Sequence, residues 1–107
     1  MYLIKKTDVF DKWLLKLKDY RAKAKILTKL KMIELGNLGD HKSVGSGVFE
    51  IRIDYGPGYR LYYSKPGTSI ILLLVGGDKS SQSKDILKAQ KLLEELENYY
   101  GKQSESF

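Results

Sequence analysis

Both prolines of this chain sit beside glycine, in "GPG" (56–58) and "KPGT" (65–68), and together they cut residues 48–75 into three strands. In "VFEIRIDY", Phe49, Ile51, Ile53 and Tyr55 alternate with Glu50, Arg52 and Asp54, the period of a strand with two unlike faces. The Gly56–Pro57–Gly58 break leads into "YRLYYS", where Tyr59, Leu61 and Tyr63 share one face and Arg60, Tyr62 and Ser64 the other. Pro66 and Gly67 occupy favoured turn positions before "SIILLLV", which is apolar on both faces and reads as a central strand covered on both sides. Such short connections make an antiparallel meander.

On either side of it the period changes. "YLIKK" gives a first strand. From Asp8 onward Phe10, Trp13, Leu14 and Leu17 are spaced for one face of a helix, with Thr7 or Asp8 placed to cap it. "KDYR" (18–21) allows a tight turn into a second helix, with Ala22, Ile26, Leu30 and Ile33 inward, Lys23, Lys25, Lys29 and Lys31 mostly outward, and Gly36 as the stop. "GNLGDHKSVGSG" (36–47) is a loop by composition. "GGDKSSQSKD" ends the meander and opens a last helix with Ile86, Ala89, Leu93, Leu96 and Tyr100 on one face. The expectation is one α+β domain over residues 1–100, ordered β-α-α-β-β-β-α, with an antiparallel sheet packed by a helical hairpin and a C-terminal helix. Residues 101–107 are expected to fray as a tail.

Composition narrows the chemistry. A chain of 107 residues has room for one domain, and without cysteine it holds no disulfide, thiolate zinc site or cysteine nucleophile. No apolar run is long enough to span a bilayer, and "MYLIKKTD" is the reverse of a secretory signal, so a cytoplasmic protein is expected, away from membranes. The net charge of +6 is uneven: residues 1–47 hold 11 Lys/Arg against 5 Asp/Glu, whereas residues 48–107 hold 8 of each. A basic field of this kind suits a polyanion or an acidic protein, although lysine-rich helix faces are often only solvated.

On the sheet face opposite Tyr59, Leu61 and Tyr63, adjacent strands offer Glu50, Arg52, Arg60 and Tyr62; Lys79 ends the next strand, and His41 and Lys42 lie in the preceding loop. Arginine forks match phosphate oxygens, and tyrosine stacks on bases, so the group suits a phosphodiester, with Arg60 projecting away from the core. The alternative for Arg52 is a surface pair with Glu50 or Asp54. A single histidine excludes a two-histidine ribonuclease mechanism. Asp78 and Asp85 lack the supporting ligands of a metal site, and no metal or cofactor is expected.

The run "GNLGDHKSVGSGVFEIRIDYGPGYRLYY", followed by "ILLLVGGDKSSQSKDI", resembles the addiction-module killer (HigB-like) branch of the RelE/ParE toxin superfamily, and "FDKWLLKLKD" and "AQKLLEEL" also fit. The resemblance implies the same element order and the toxin of a type II toxin–antitoxin pair. RelE-like members cut mRNA on the ribosome without a metal; ParE-like members are non-catalytic poisons of DNA gyrase. It also implies a cognate antitoxin, typically a small helix-turn-helix protein. By position, Arg60 matches the sheet arginine set against the scissile phosphate, Lys79 a second basic residue, and Arg52 the neighbouring basic position. These three are the implied catalytic residues, with Lys42, Tyr62 and His41 as RNA-binding residues. The family's C-terminal tyrosine has no counterpart here, which leaves the general acid unassigned.

Overall fold

Thr7 ends one element and starts another. Its hydroxyl donates to the Leu74 carbonyl at 2.7 Å and accepts from the Phe10 amide at 3.1 Å, closing strand β1 (Leu3–Lys6) and capping helix α1 (Asp8–Lys16) in one stroke. The computed structural model describes the backbone of residues 1–105 and the side chains of residues 1–99. Helix α2 (Tyr20–Glu34) starts at Asp19, whose carboxylate accepts from the Arg21 and Ala22 amides. It stops as expected at Gly36: this residue has φ +96° and its amide reaches the Ile33 carbonyl, while the Asn37 amide reaches that of Met32. Those are the two bonds of a Schellman ending, and glycine adopts that φ without the clash a side chain would meet.

The sheet has five strands in the order β1-β5-β4-β3-β2, with β2 at His41–Gly45, β3 at Val48–Ile53, β4 at Tyr59–Gly67 and β5 at Ile70–Asp78. Three features differ from the sequence reading. Part of the expected loop, His41–Gly45, is an edge strand on β3, turning at Ser46 and Gly47, both at positive φ. Four of its five residues are exposed, so no burial pattern marks it. The sheet is mixed rather than purely antiparallel, because β5, reached after the helical hairpin and the meander, lies parallel beside β1. Finally, the second hairpin pairs Gly67 with Ile70 and turns at residues 68–69; Pro66 lies inside β4 where the register shifts, the place a residue without an amide hydrogen is tolerated.

Both faces are covered. Phe10, Ala22, Ile26, Leu30 and Ile33 of the hairpin pack on Ile51, Tyr59, Leu61, Tyr63, Ile71 and Leu73. On the other face a single 3-10 turn (Lys79–Ser81) leads into helix α3 (Gln82–Glu105), which lays Ala89 and Leu93 on Val48, Tyr62, Leu74 and Val75. Leu74 and Leu73 point to opposite layers, as a strand apolar on both faces requires. Ile86 and Leu96 line α3 as expected, while the side chain of Tyr100 lies outside the described residues. The helix runs to Glu105, past the boundary expected at residue 100, in keeping with the helix-forming Lys, Gln and Glu there; residues 106–107 lie outside the described chain.

Candidate active site

The α3 face of the sheet is polar at one end. Strand register sets Lys42 opposite Glu50, Glu50 opposite Tyr62, and Arg52 directly opposite Arg60. Two arginines in that relation repel one another, so something must gather them. Glu50 does. Its Oε2 lies 3.2 Å from Arg52 Nε and 3.9 Å from Lys42 Nζ. Its Oε1 lies 3.3 Å from Arg60 Nε, accepts from Gln82 Nε2 at 2.8 Å and stands 3.5 Å from the Tyr62 hydroxyl. The Arg60 contact is electrostatic, without the alignment of a hydrogen bond. Glu50 itself is fully buried. Three cations thus share one buried carboxylate, with the Asp85 carboxylate of α3 the next negative charge acting on this corner through Tyr62.

Access to the three cations differs. The side chains of Lys42 and Arg52 are 54% and 40% exposed, that of Arg60 only 8%. The expectation that Arg60 leaves the core is therefore corrected: α3 packs over this face, and the guanidinium is tucked beneath it with Nη1 donating to the Gly58 carbonyl at 2.7 Å. Gly58, at φ +79°, keeps that approach open; a Cβ there would stand 3.2 Å from Arg60 Nη1 and 3.5 Å from Lys79 Cβ. Lys79, exposed at the head of the 3-10 turn, thus springs from beside the Arg60 fork.

Tyr62 is corrected more sharply. It is fully buried under α3, with no face open to a base, and so supports the site from below. Burial first, then the negative charges of Glu50 and Asp85, raise its phenol far above the usual tyrosine range; Arg60 offsets part of this. His41 pairs with Ile51, on the opposite face from Lys42, and its Nδ1 lies 2.9 Å from the Gly39 carbonyl. It stands apart from the cluster. The site that forms is Lys42, Arg52 and Arg60 around Glu50, with Lys79 at its edge. Sequence reasoning saw Glu50 only as a surface partner for Arg52 and missed Gln82, whose approach depends on where α3 crosses the sheet.

The "GGDK" run is mostly structural. A Cβ on Gly76 would overlap the Trp13 ring of α1, and one on Gly77 would overlap the Asp85 carboxylate of α3. Asp78 caps the 3-10 turn through the Ser80 amide at 2.9 Å. Among the described residues no group of three or more His, Cys, Asp or Glu is placed to hold a metal ion, and no helix is long and apolar enough to cross a membrane.

This architecture has solved counterparts. An arginine-to-alanine double mutant of the E. coli toxin RelE in the free state superposes with a TM-score of 0.66 at 19% identity, over 84% of this chain and 95% of that one. The intact E. coli RelBE toxin–antitoxin complex gives a TM-score of 0.59 at 20% identity, over 73% and 96%. The fold is thus the RelE type of α+β sheet. No protein-family model matches the sequence. It is 54% identical over 93 residues to an uncharacterized protein of Haemophilus influenzae (strain Rd), covering 87% of this chain and 94% of that protein. The chain belongs to the family of that Haemophilus protein.

Proposed function

We propose that this protein is the toxin of a type II toxin–antitoxin pair, of the HigB-like branch of the RelE/ParE superfamily, and that it is a ribosome-dependent, metal-independent mRNA endoribonuclease of the cytoplasm. The observation that carries the reading is the cationic cluster of Lys42, Arg52 and Arg60, set on a RelE-type sheet. In the reaction, the 2′-oxygen of the mRNA attacks the adjacent phosphorus while its proton passes to a base, for which Lys42 and Lys79 are the candidates. The bond from phosphorus to the 5′-oxygen breaks, leaving a 2′,3′-cyclic phosphate, and the departing oxygen takes its proton from solvent water. Charge builds on the non-bridging oxygens between Arg52 and Arg60, where preplaced donors lower the barrier most. The cognate antitoxin is a small helix-turn-helix protein, and the basic N-terminal half attracts its acidic segments.

Primer extension on ribosome-bound mRNA tests this. Wild type should cut, and Arg60→Ala should lose on the order of 100-fold or more in rate, as when one oxyanion donor is removed. Because Arg60 is buried, Arg60→Lys is the companion variant: it keeps the charge but not the fork, and should recover little activity. Intact mRNA together with inhibited gyrase supercoiling would replace the nuclease by a ParE-like gyrase poison.

A further inference from the structure

We infer that Glu50 is a positioning residue, whose two carboxylate oxygens fix the plane and separation of the Arg52 and Arg60 forks so that one phosphate can span both. The inference rests on the nuclease reading above. Its basis is register. Arg52 and Arg60 are direct cross-strand partners on one face, and alone they would swing apart. One step along the same face, Glu50 gives Oε2 to Arg52 and Oε1 to Arg60, so each arginine turns its Nε inward; Arg52, 40% exposed, presents its outer fork, whereas Arg60, with Nη1 held by Gly58, has Nη2 left for another anion. Arg60 is pinned at a second point by Gly58, which sets its plane. The carboxylate is immobilised in turn: it is fully buried, Gln82 donates to its Oε1 from the first residue of α3, and the Tyr62 hydroxyl stands 3.5 Å from the same oxygen. Groups held this way lose little freedom when the transition state forms. A buried ion cluster is by contrast a poor source of stability, so a purely structural account leaves its elaboration unexplained.

The test compares Glu50→Gln and Gln82→Ala with wild type by two readouts. One is kcat and KM for cleavage of ribosome-bound mRNA. The other is the Nε–Hε NMR resonance of Arg60, assigned through Arg60→Lys, which needs no activity. Glu50→Gln should lower kcat on the order of 10- to 100-fold, with KM for ribosomes within about twofold, and should shift and broaden the Arg60 signal. In the Arg60→Ala background it should cost almost nothing further, because both changes remove one unit. Gln82→Ala, which leaves the charge in place, should act in the same direction by a few-fold, and it serves if Glu50→Gln does not fold. Unchanged kcat with an unchanged Arg60 signal overturns the inference. Loss of cleavage with loss of the acid limb of the pH–rate profile, and an undisturbed Arg60 signal, also overturns it, since Glu50 would then be the base itself. If wild type cuts no mRNA, the nuclease reading fails, and the Arg60 signal alone decides whether Glu50 orders the fork.

Discussion

The two faces of the sheet are buried by different means. Under the helical hairpin, Ile51, Leu61, Ile71 and Leu73 meet Phe10, Ile26 and Ile33, and among the described residues the one polar atom buried there without a hydrogen-bond partner is the Tyr63 hydroxyl. Under α3 the middle is equally apolar, but the end nearest Gln82 holds Glu50, Arg60 and Tyr62 out of water. Both faces arise from the same strands with the same alternation. The difference lies in the covering helix, which brings aliphatic side chains in its middle turns and an amide and a carboxylate in its first. Burial therefore says little about role unless the chemistry of the lid is known: a face that looks like solvent in a strand pattern can be a second core with a charged corner.

Phe10→Ala should have the largest effect on stability. It empties a fully buried aromatic site on the hairpin face and should cost about 3–5 kcal/mol by urea denaturation. A loss under about 1 kcal/mol would mean that the hairpin face is not the main core.

Alkaline pH separates the faces next. Burial raises Tyr63, on the hairpin face, to about 12, with Tyr2 adding to the shift. A tyrosine that keeps its proton longer in the folded state stabilises the fold below the unfolded value of 10, and that contribution drains away as pH climbs toward 12. The loss amounts to at most about 2–3 kcal/mol, and Tyr63→Phe should flatten the fall in stability between those pH values. Tyr62 titrates later still, because Glu50 and Asp85 add to its burial, so tyrosinate absorbance should rise in two stages. A single stage at the pH of exposed tyrosines would contradict both burials.

Tyr62→Phe should have the smallest effect. Its hydroxyl is 3.5 Å from Glu50, a long contact, so removing it should cost about 1 kcal/mol or less, while Glu50 keeps its other donors. A loss well beyond that would show that the polar corner depends on the phenol as much as on Gln82.

The hairpin face is legible in the amino-acid sequence because Ala22, Ile26, Leu30 and Ile33 repeat at helical spacing and Phe49, Ile51 and Ile53 at strand spacing. Arg52 and Arg60 are legible there as cations of one strand face through parity, whereas Lys42 reads only as a loop lysine nearby. What stays hidden depends on long-range geometry. Nothing in "HKSVG" alternates, because an edge strand exposed on both sides imposes no pattern. The depth of Arg60 and Tyr62, and the central place of Glu50, follow from α3 folding back across the sheet; no local period reports where a helix lands.

The parallel pairing of β1 with β5 carries a consequence for how the chain is made. Thr7 and Leu74, which meet through a hydrogen bond, are 67 residues apart in sequence, and Trp13 rests on the bare backbone of Gly76. A nascent chain therefore emerges with its first strand and first helix lacking their docking surface until β5 has been synthesised. Closing so long a loop carries its entropic cost before any contact rewards it, which favours slow, late docking of the N-terminus. The meander and the second helix can associate earlier, and the edge of β5 stays open in the meantime. Any protein that recognises that edge meets a half-built molecule, and β1, translated well before β5, is among the last elements to find its place.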